Sequence, residues 1–201
     1  MKKILNIISS PRGADSFSSK LSTVVLDEIK STYGEVDIKT IDLSQSPYPH
    51  LDETLLTSLG VQADDRSEEM QAAVDTSDKA VSDLKDADIV IIGVPMYNFS
   101  IPSTLKSWID HIARAGISFR YTEAGVEGLI KDKKVYLCIA TGGVYSAGPM
   151  QEFDFTEPYM RKVLAFLGMT DVTTYRVEGV SIPDLQGTAL EKAIENIAIE
   201  A

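Results

Sequence analysis

Cysteine is nearly absent from this sequence, because Cys138 is the only one among its 201 residues. A single thiol excludes an internal disulfide, a Cys-x-x-Cys redox pair and a zinc site built from several thiolates. The two histidines, His50 and His111, are far apart and have no cysteine beside them, which disfavours a histidine metal site and a Ser-His-Asp triad. We therefore expect no bound metal, and a bound cofactor must supply any redox chemistry.

Long apolar runs and an excess of positive charge are also missing. No stretch approaches the roughly 18 to 20 consecutive apolar residues that a membrane helix needs, and the first residues lack the apolar core of a signal peptide. We expect a cytoplasmic protein that has no membrane partner. Acidic residues outnumber basic ones 30 to 19, giving a formal net charge of −11. Such a surface is unsuited to holding the phosphate backbone of a nucleic acid, so we expect no nucleic-acid partner.

The chain instead alternates strand-like apolar runs with segments of helical periodicity, at a length and composition suited to one domain spanning residues 1–201. The predicted strands cover residues 3–8, 36–41, 87–95, 134–140 and 171–177. The predicted helices end at Gly34, cover 68–85, run from Pro102 to a stop at Gly116, and cover 159–167 and 188–199. This alternation predicts an α/β fold: a flavodoxin-like, doubly wound sheet of five parallel strands with helices on both faces.

Two segments fall outside the alternation. Residues 42–66 pass through two prolines and a glycine without a sustained pattern, and they are predicted to form a long excursion of open function. Residues 119–129 contain two glycines and are predicted to form a short hairpin.

The loop after the first strand, residues 9–19, is rich in hydroxyl groups and ends where a helix begins. Backbone N–H groups, the helix dipole and hydroxyl donors are what a phosphate monoester needs when no basic patch is present. The loop lacks G-x-x-x-x-G-K-[ST] and G-x-G-x-x-G, which disfavours a nucleoside triphosphatase and a dinucleotide pyrophosphate site. Equally, Ser16 or Ser18 could simply cap the helix.

Two further loops follow the third and fourth strands. Residues 95–99 contribute two aromatic rings and an amide, which suit a planar ligand, although these rings could instead fold back on the core. Residues 140–145 contribute Gly142 and Gly143, which suit either close backbone approach to a ligand or an ordinary turn. In a doubly wound fold, ligands bind beyond the carboxyl ends of the strands, so the coincidence of three such loops points to one site.

Several of these segments together carry a family resemblance. They are Ser9-Ser10, Ser16 to Ser18, Pro95-Met96-Tyr97-Asn98-Phe99, Ala113-Arg114-Ala115-Gly116, Phe119-Arg120-Tyr121-Thr122-Glu123 and Thr141-Gly142-Gly143. From residue 3 to the last helix the sequence resembles the FMN-dependent NADH azoreductases, or FMN-dependent NADH:quinone oxidoreductases.

The resemblance implies a flavodoxin-like homodimer with one FMN per subunit near the dimer interface. It places the FMN phosphate on Ser10, Ser16, Phe17 and Ser18, the isoalloxazine against Met96, Tyr97, Asn98 and Phe99, and the pyrimidine edge of the ring against Ala140, Thr141, Gly142 and Gly143. The backbone of Asn98 would lie near N5. The chain departs from the family pattern at Phe17, at Ala140 and Thr141 before the two glycines, and at Tyr145, which bears on substrate and nicotinamide preference.

The activity implied by the resemblance is two-electron transfer from NADH or NADPH through FMN to a quinone or azo compound. Because donor and acceptor would share one site, we expect ping-pong kinetics, and we assign no catalytic acid or base. Tyr121 and Phe166 would be aromatic walls of the substrate cavity, or alternatively ordinary packing residues.

Two other functions remain open: a flavodoxin-type electron carrier whose acidic surface docks on basic partners, and a non-catalytic binding module on the same fold. Three residues outside the predicted site are assigned structural places. We expect Cys138 to be a packing residue and His111 a residue of a helix surface or an interface. Trp108 is expected in the core, or at the dimer interface if the resemblance carries over.

Overall fold

A computed structural model describes residues 1–200. The strands are β1 (Lys2–Ile8), β2 (Val36–Asp42), β3 (Ile89–Pro95), β4 (Phe119–Thr122), β5 (Gly125–Gly128), β6 (Lys134–Ala140) and β7 (Asp171–Val177). Five of them form one parallel sheet in the order β2-β1-β3-β6-β7, and β4 pairs with β5 as an antiparallel hairpin. The flavodoxin-like order and the short hairpin are thus confirmed.

Helices cover both faces of the sheet. They are α1 (Phe17–Tyr33), α2 (Glu53–Gly60), α3 (Glu68–Asp86), α4 (Ser103–Ile112), α5 (Glu157–Leu167), α6 (Pro183–Gln186) and α7 (Ala189–Ile194). On one face α3, α4 and α5 pack against residues such as Leu5 and Ile92, and on the other α1 and α7 pack against residues such as Ile4 and Ile91. Every residue of β3 is buried because its two faces each meet a helical layer.

The structure corrects three predicted boundaries. The excursion at residues 42–66 contains α2, whose start is capped by Asp52 accepting the Leu55 N–H at 2.8 Å; eight residues are too few for a clear periodic signal. The helix predicted to stop at Gly116 ends at Ile112, because the Arg114 N–H bonds to the Ser118 hydroxyl instead of continuing the helix. The closing helix covers only Ala189–Ile194 rather than 188–199.

Of the residues assigned structural places, Trp108 and Cys138 are fully buried in the core, as expected. For His111, the predicted place on a helix surface is wrong. Its side chain is buried, its Nε2 lies 3.0 Å from the Pro49 carbonyl oxygen and its ring packs 5.1 Å from that of Tyr48. The segment before α2 folds over α4 and covers this histidine, a long-range contact that helical periodicity does not reveal.

The β4–β5 hairpin is held against the end of α5. Phe119 is buried in the core, and the hairpin's last residue, Gly128, touches the backbone of Gly168, which ends α5. A Cβ at Gly128 would lie 2.1 Å from the Gly168 nitrogen, so only glycine permits this approach. Within residues 1–200, none of the helices combines the length and apolar character required to cross a membrane.

Candidate active site

Three loops meet at the carboxyl edge of the central strands, as the sequence predicts. The Ser9 hydroxyl donates to the Gly93 carbonyl at 2.6 Å, which ties the loop after β1 to β3. The Met96 N–H donates to the Ala140 carbonyl at 2.9 Å, which ties the loop after β3 to the end of β6. These hydrogen bonds fix the three loops relative to one another and make a single site at this edge.

The hydroxyl-rich loop forms a cradle at the start of α1. Ser10, Ser16 and Ser18 are all buried, and the hydroxyls of Ser16 and Ser18 lie 3.0 Å apart. Ser16 accepts the Ser19 N–H at 3.2 Å, so it does cap the helix. The N–H groups of Phe17 and Ser18 belong to the first turn and have no intrahelical acceptor. Capping therefore leaves backbone donors for an anion, and the two interpretations of this loop are compatible.

One further hydroxyl lies in the first turn of α1, next to the cradle in sequence. The Ser19 Oγ is buried and, within residues 1–200, has no hydrogen-bond partner. A buried polar atom without a partner is costly unless a ligand or water satisfies it. Phe17 is half-buried, and the Lys20 ammonium lies 5.4 Å from its ring centroid, so this departure from the family pattern packs beside the helix start. The cradle thus combines neutral hydroxyl and backbone donors with a lysine ammonium beside Phe17.

The loop after β3 is a tight two-residue turn. Tyr97 and Ser100 exchange both backbone hydrogen bonds, at 2.9 and 3.1 Å, around Asn98 and Phe99. Both central residues have positive φ, 49° for Asn98 and 70° for Phe99, the pattern of a type I′ turn. Asn tolerates this conformation, but an aromatic residue rarely adopts it. The turn leaves the rings of Tyr97 and Phe99 exposed at the sheet edge, with Tyr97 38% and Phe99 43% accessible.

The loop after β6 is braced by the loop after β7. The Gly179 N–H donates to the Gly143 carbonyl and the Ser181 N–H to the Gly142 carbonyl, each at 3.0 Å. A Cβ at Gly142 would lie 3.0 Å from the Ser181 hydroxyl oxygen, so the two loops are in close contact. Thr141 is buried, and its hydroxyl donates to the Gly143 carbonyl at 2.8 Å. Sequence reasoning missed the β7 loop, although the rule that sites form beyond strand carboxyl ends applied to it equally.

Beside the turn lies a groove of about 650 Å³. Its lining includes Ser9, Ser44, Tyr97, Asn98, Lys106 and Tyr159. This volume is within the range of small-molecule and cofactor sites, and the lining combines aromatic and hydroxyl groups as such sites do. On the turn itself, the Phe99 ring packs against Phe153 at 5.7 Å and edge-on against Tyr145 at 6.4 Å.

The two predicted substrate residues lie on a separate aromatic cluster. Phe166 packs on Phe119 with centroids 4.6 Å apart, and Tyr121 packs edge-on against Phe119 at 5.7 Å. Tyr121 is 73% exposed and Phe166 36% exposed, and neither belongs to the lining of the groove beside Tyr97. Within one chain they form a surface patch rather than a cavity wall, and their contact with a substrate stays a prediction.

A cluster of charges lies under the segment that joins β6 to α5. The Arg176 guanidinium contacts Asp154, Glu157 and Glu178. Burial lowers the pKa of Arg176, but hydrogen bonds to Asp154 and Glu157 outweigh it and raise that pKa further above its ordinary value. Burial raises the pKa of Glu157, but hydrogen bonds from Thr174, Arg161 and Arg176 bring that pKa below its ordinary value. Arg176 and Glu157 are therefore both ionised at neutral pH.

The comparisons with known proteins bear on what this site holds. The sequence model of the Flavodoxin_2 family, described as a flavodoxin-like fold, matches residues 2–199. The chain belongs to this family. It is 47% identical over 182 residues to a curated FMN-dependent NADH:quinone oxidoreductase of Herminiimonas arsenicoxydans, covering 90% of this chain and 89% of that protein.

Two solved structures resemble this member of the Flavodoxin_2 family along nearly their whole length. The crystal structure of an azoreductase from Bacillus anthracis str. Sterne matches with a TM-score of 0.88 and 32% identity, covering 97% of this chain and 98% of that one. An FMN-dependent NADH-azoreductase from Bacillus anthracis str. Ames Ancestor, solved in complex with FMN, matches with a TM-score of 0.86 and 28% identity, covering 97% of each chain.

The site of this Flavodoxin_2 member fits a flavin mononucleotide on physical grounds. The buried Ser19 hydroxyl without a partner and the free first-turn amides suit a phosphate. The exposed aromatic turn suits a planar ring, and the adjacent groove has the volume for one. Among residues 1–200, no three His, Cys, Asp or Glu side chains are grouped so as to hold a metal ion.

Proposed function

We propose that this chain is an FMN-dependent NAD(P)H:quinone oxidoreductase that also reduces azo compounds. The observation that carries the proposal is the convergence of a hydroxyl cradle, an aromatic type I′ turn and a glycine loop at one sheet edge. The names of its relatives support the same activity. FMN, when bound, supplies the chemistry by accepting two electrons as a hydride and passing them on.

The residues of this chain bind and orient FMN, and they exclude water from it. Ser10, Ser16, Phe17 and Ser18 hold the phosphate through hydroxyl and backbone donors. Met96, Tyr97, Asn98 and Phe99 lie against the ring, and the glycine loop Ala140, Thr141, Gly142 and Gly143 meets its pyrimidine edge. Backbone N–H groups there stabilise negative charge by the logic of an oxyanion hole. No acid or base is assigned, and the nicotinamide and the acceptor use the same place in turn.

We further propose that the protein works as a cytoplasmic homodimer with one site per subunit. The exposed rings of Tyr121 and Phe166, which both pack on Phe119, support a partner, because contiguous exposed apolar patches mark contact surfaces. A lone, buried thiol suits a reducing compartment. Size-exclusion chromatography with light scattering tests the dimer: a mass of one chain across micromolar concentrations would contradict it. Subcellular fractionation tests the location, since recovery in a membrane or secreted fraction would contradict it.

The activity is tested by steady-state kinetics of the FMN-reconstituted protein. Initial rates with NADH, and separately NADPH, at several fixed quinone concentrations should give parallel double-reciprocal lines, the pattern of a shared site used twice. Faster turnover with one nucleotide would settle the donor, and an azo dye would test the second acceptor class. Bound FMN without nucleotide-driven turnover would favour an electron carrier docking through the acidic surface, and no bound FMN would favour a binding module.

A further inference from the structure

One largely buried arginine joins three carboxylates beside the candidate site. Arg176 lies at the carboxyl end of β7 with 14% of its side chain exposed. Its Nη2 contacts Asp154 and lies 2.6 Å from Glu157 Oε2, while its Nη1 lies 3.3 Å from Glu178 Oε1. The carboxylates repel one another, and the guanidinium is the charge placed between all three.

Two of these carboxylates hold the ends of one segment, residues 144–156, which we call the β6–α5 loop. At its start, Glu178 Oε1 accepts the N–H groups of Tyr145 and Ser146 at 2.8 and 2.9 Å. At its end, Asp154 Oδ1 accepts the N–H groups of Thr156 and Glu157 at 2.8 and 3.2 Å. Arg176 therefore fastens both ends of the loop through a single side chain.

The β6–α5 loop carries the aromatic groups that meet the strained turn. Tyr145 and Phe153 both pack against the Phe99 ring, and the Phe155 N–H donates to the Phe99 carbonyl at 3.1 Å. The position of this loop thus decides where the rings around Phe99 lie. The cradle at the start of α1 makes none of these contacts, so the loop can shift without disturbing the hydroxyl groups there.

We propose that Arg176 is a positioning residue that, through Asp154 and Glu178, fixes the aromatic wall made by Tyr145 and Phe153 and so sets which acceptors fit. The proposal rests on the proposed function, since it names the acceptor side of the same site. Removing the guanidinium leaves three carboxylates, of which only Glu157 keeps an ion pair, with Arg161 at 2.7 Å. Their repulsion then releases the loop, and Tyr145 and Phe153 lose their fixed place against Phe99.

The kinetic test compares Arg176→Gln with the unaltered protein, both loaded with FMN. We measure KM and kcat for a small benzoquinone and for a bulky two-ring azo dye at a saturating concentration of NADH or NADPH. Because small misplacements of positioning groups cost rate steeply, kcat/KM for the bulky acceptor should fall by about tenfold through a higher KM, and kcat/KM for benzoquinone should change by less than about twofold. The FMN dissociation constant should stay unchanged, which a general structural defect would not allow. Equal KM values for both acceptors in the two proteins would overturn the proposal.

Three further variants keep the test interpretable. Arg176→Lys retains the charge and should restore part of the acceptor preference. Glu178→Gln retains an oxygen that accepts the Tyr145 N–H but loses the ion pair with Arg176, so it should show the same selectivity as Arg176→Gln. It replaces Arg176→Gln in the test if Arg176→Gln folds poorly. Arg161→Gln is the matched control, because it removes an arginine bound to Glu157 that makes no contact with Asp154 or Glu178. A selectivity change in the control as large as in Arg176→Gln would overturn the proposal.

A second measurement does not depend on turnover. Hydrogen–deuterium exchange of the peptide covering residues 144–157 should speed up in Arg176→Gln and stay unchanged in Arg161→Gln, because the amides held by Glu178 and Asp154 lose protection. Unchanged exchange in Arg176→Gln would refute the clamp itself. An unaltered protein that reduces no quinone would refute the proposed function instead, while the exchange result would still decide whether Arg176 holds the loop.

Discussion

The positive φ angles of the Tyr97–Ser100 turn lead us to predict that glycine is more stable than alanine at position 99, the reverse of the usual order. At most positions glycine is less favourable than alanine, because glycine loses more backbone freedom on folding, by about 0.5–1 kcal/mol. At Phe99, where φ is 70°, alanine also carries the penalty of a left-handed conformation, about 1–2 kcal/mol. The two effects oppose each other, and the second is larger. Phe99→Gly should therefore be more stable to unfolding than Phe99→Ala by about 0.5–1 kcal/mol.

Comparing two variants at the same position removes the contribution of the ring, since both lose the contacts of Phe99 with Tyr145 and Phe153. Urea unfolding of FMN-free protein, followed by circular dichroism, gives the two free energies. The matched control is Tyr97, whose φ is not positive and where Ala should be more stable than Gly by about 0.5–1 kcal/mol. If Phe99→Gly were the less stable of its pair, as at Tyr97, the account of strain in the turn would be wrong.

Three other expectations follow from the structure. Gly128→Ala forces a Cβ into the Gly168 backbone and should destabilise the fold by about 3 kcal/mol or more, seen as a lower unfolding temperature, whereas Gly60→Ala, with open space around its Cβ, should change it little. Because the pKa of Glu157 is lowered on folding, its contribution to the free energy of unfolding is full above the ordinary glutamate pKa of about 4.3 and is lost as the pH falls through the lower folded-state pKa. Glu157→Gln should therefore flatten the decrease of the free energy of unfolding in urea between pH 5 and about 3. An unchanged pH dependence of that free energy would contradict this. Burial raises the pKa of the Cys138 thiol to about 12, so a disulfide reagent should modify it only after unfolding, and rapid labelling of the folded protein would contradict the assignment.

The order of the sheet and the edge that carries the site could be predicted from the sequence because the signals are local. Residues 89–94 are apolar on both faces, and that composition predicts a strand buried between two helical layers. Once parallel strands are assigned, their carboxyl ends must share one edge, so the convergence of the loops after β1, β3 and β6 follows from topology.

What escaped the sequence depends on contacts distant along the chain or on backbone angles. Arg176 meets Asp154 from 22 residues away, and no spacing rule marks that pair. His111 is covered by the segment around Pro49, 62 residues earlier. The turn at Asn98 and Phe99 lacks the Asn-Gly pair that announces a type I′ turn, so its positive φ angles have no sequence signal.

The two borders of the sheet restrict how copies of this protein can associate. Strand β2 has a neighbour on one side only, and its outer residues include the charged Asp37 and Lys39, both exposed. On the opposite border, the Val172 carbonyl of β7 already accepts a hydrogen bond from Arg161 at 2.9 Å. Charged side chains and occupied carbonyls discourage pairing of strands between molecules. In the homodimer proposed above, we therefore expect the contact between the two chains to be made by helices and loops, which leaves the sheet intact and leaves the loop-borne aromatic rings available to that contact.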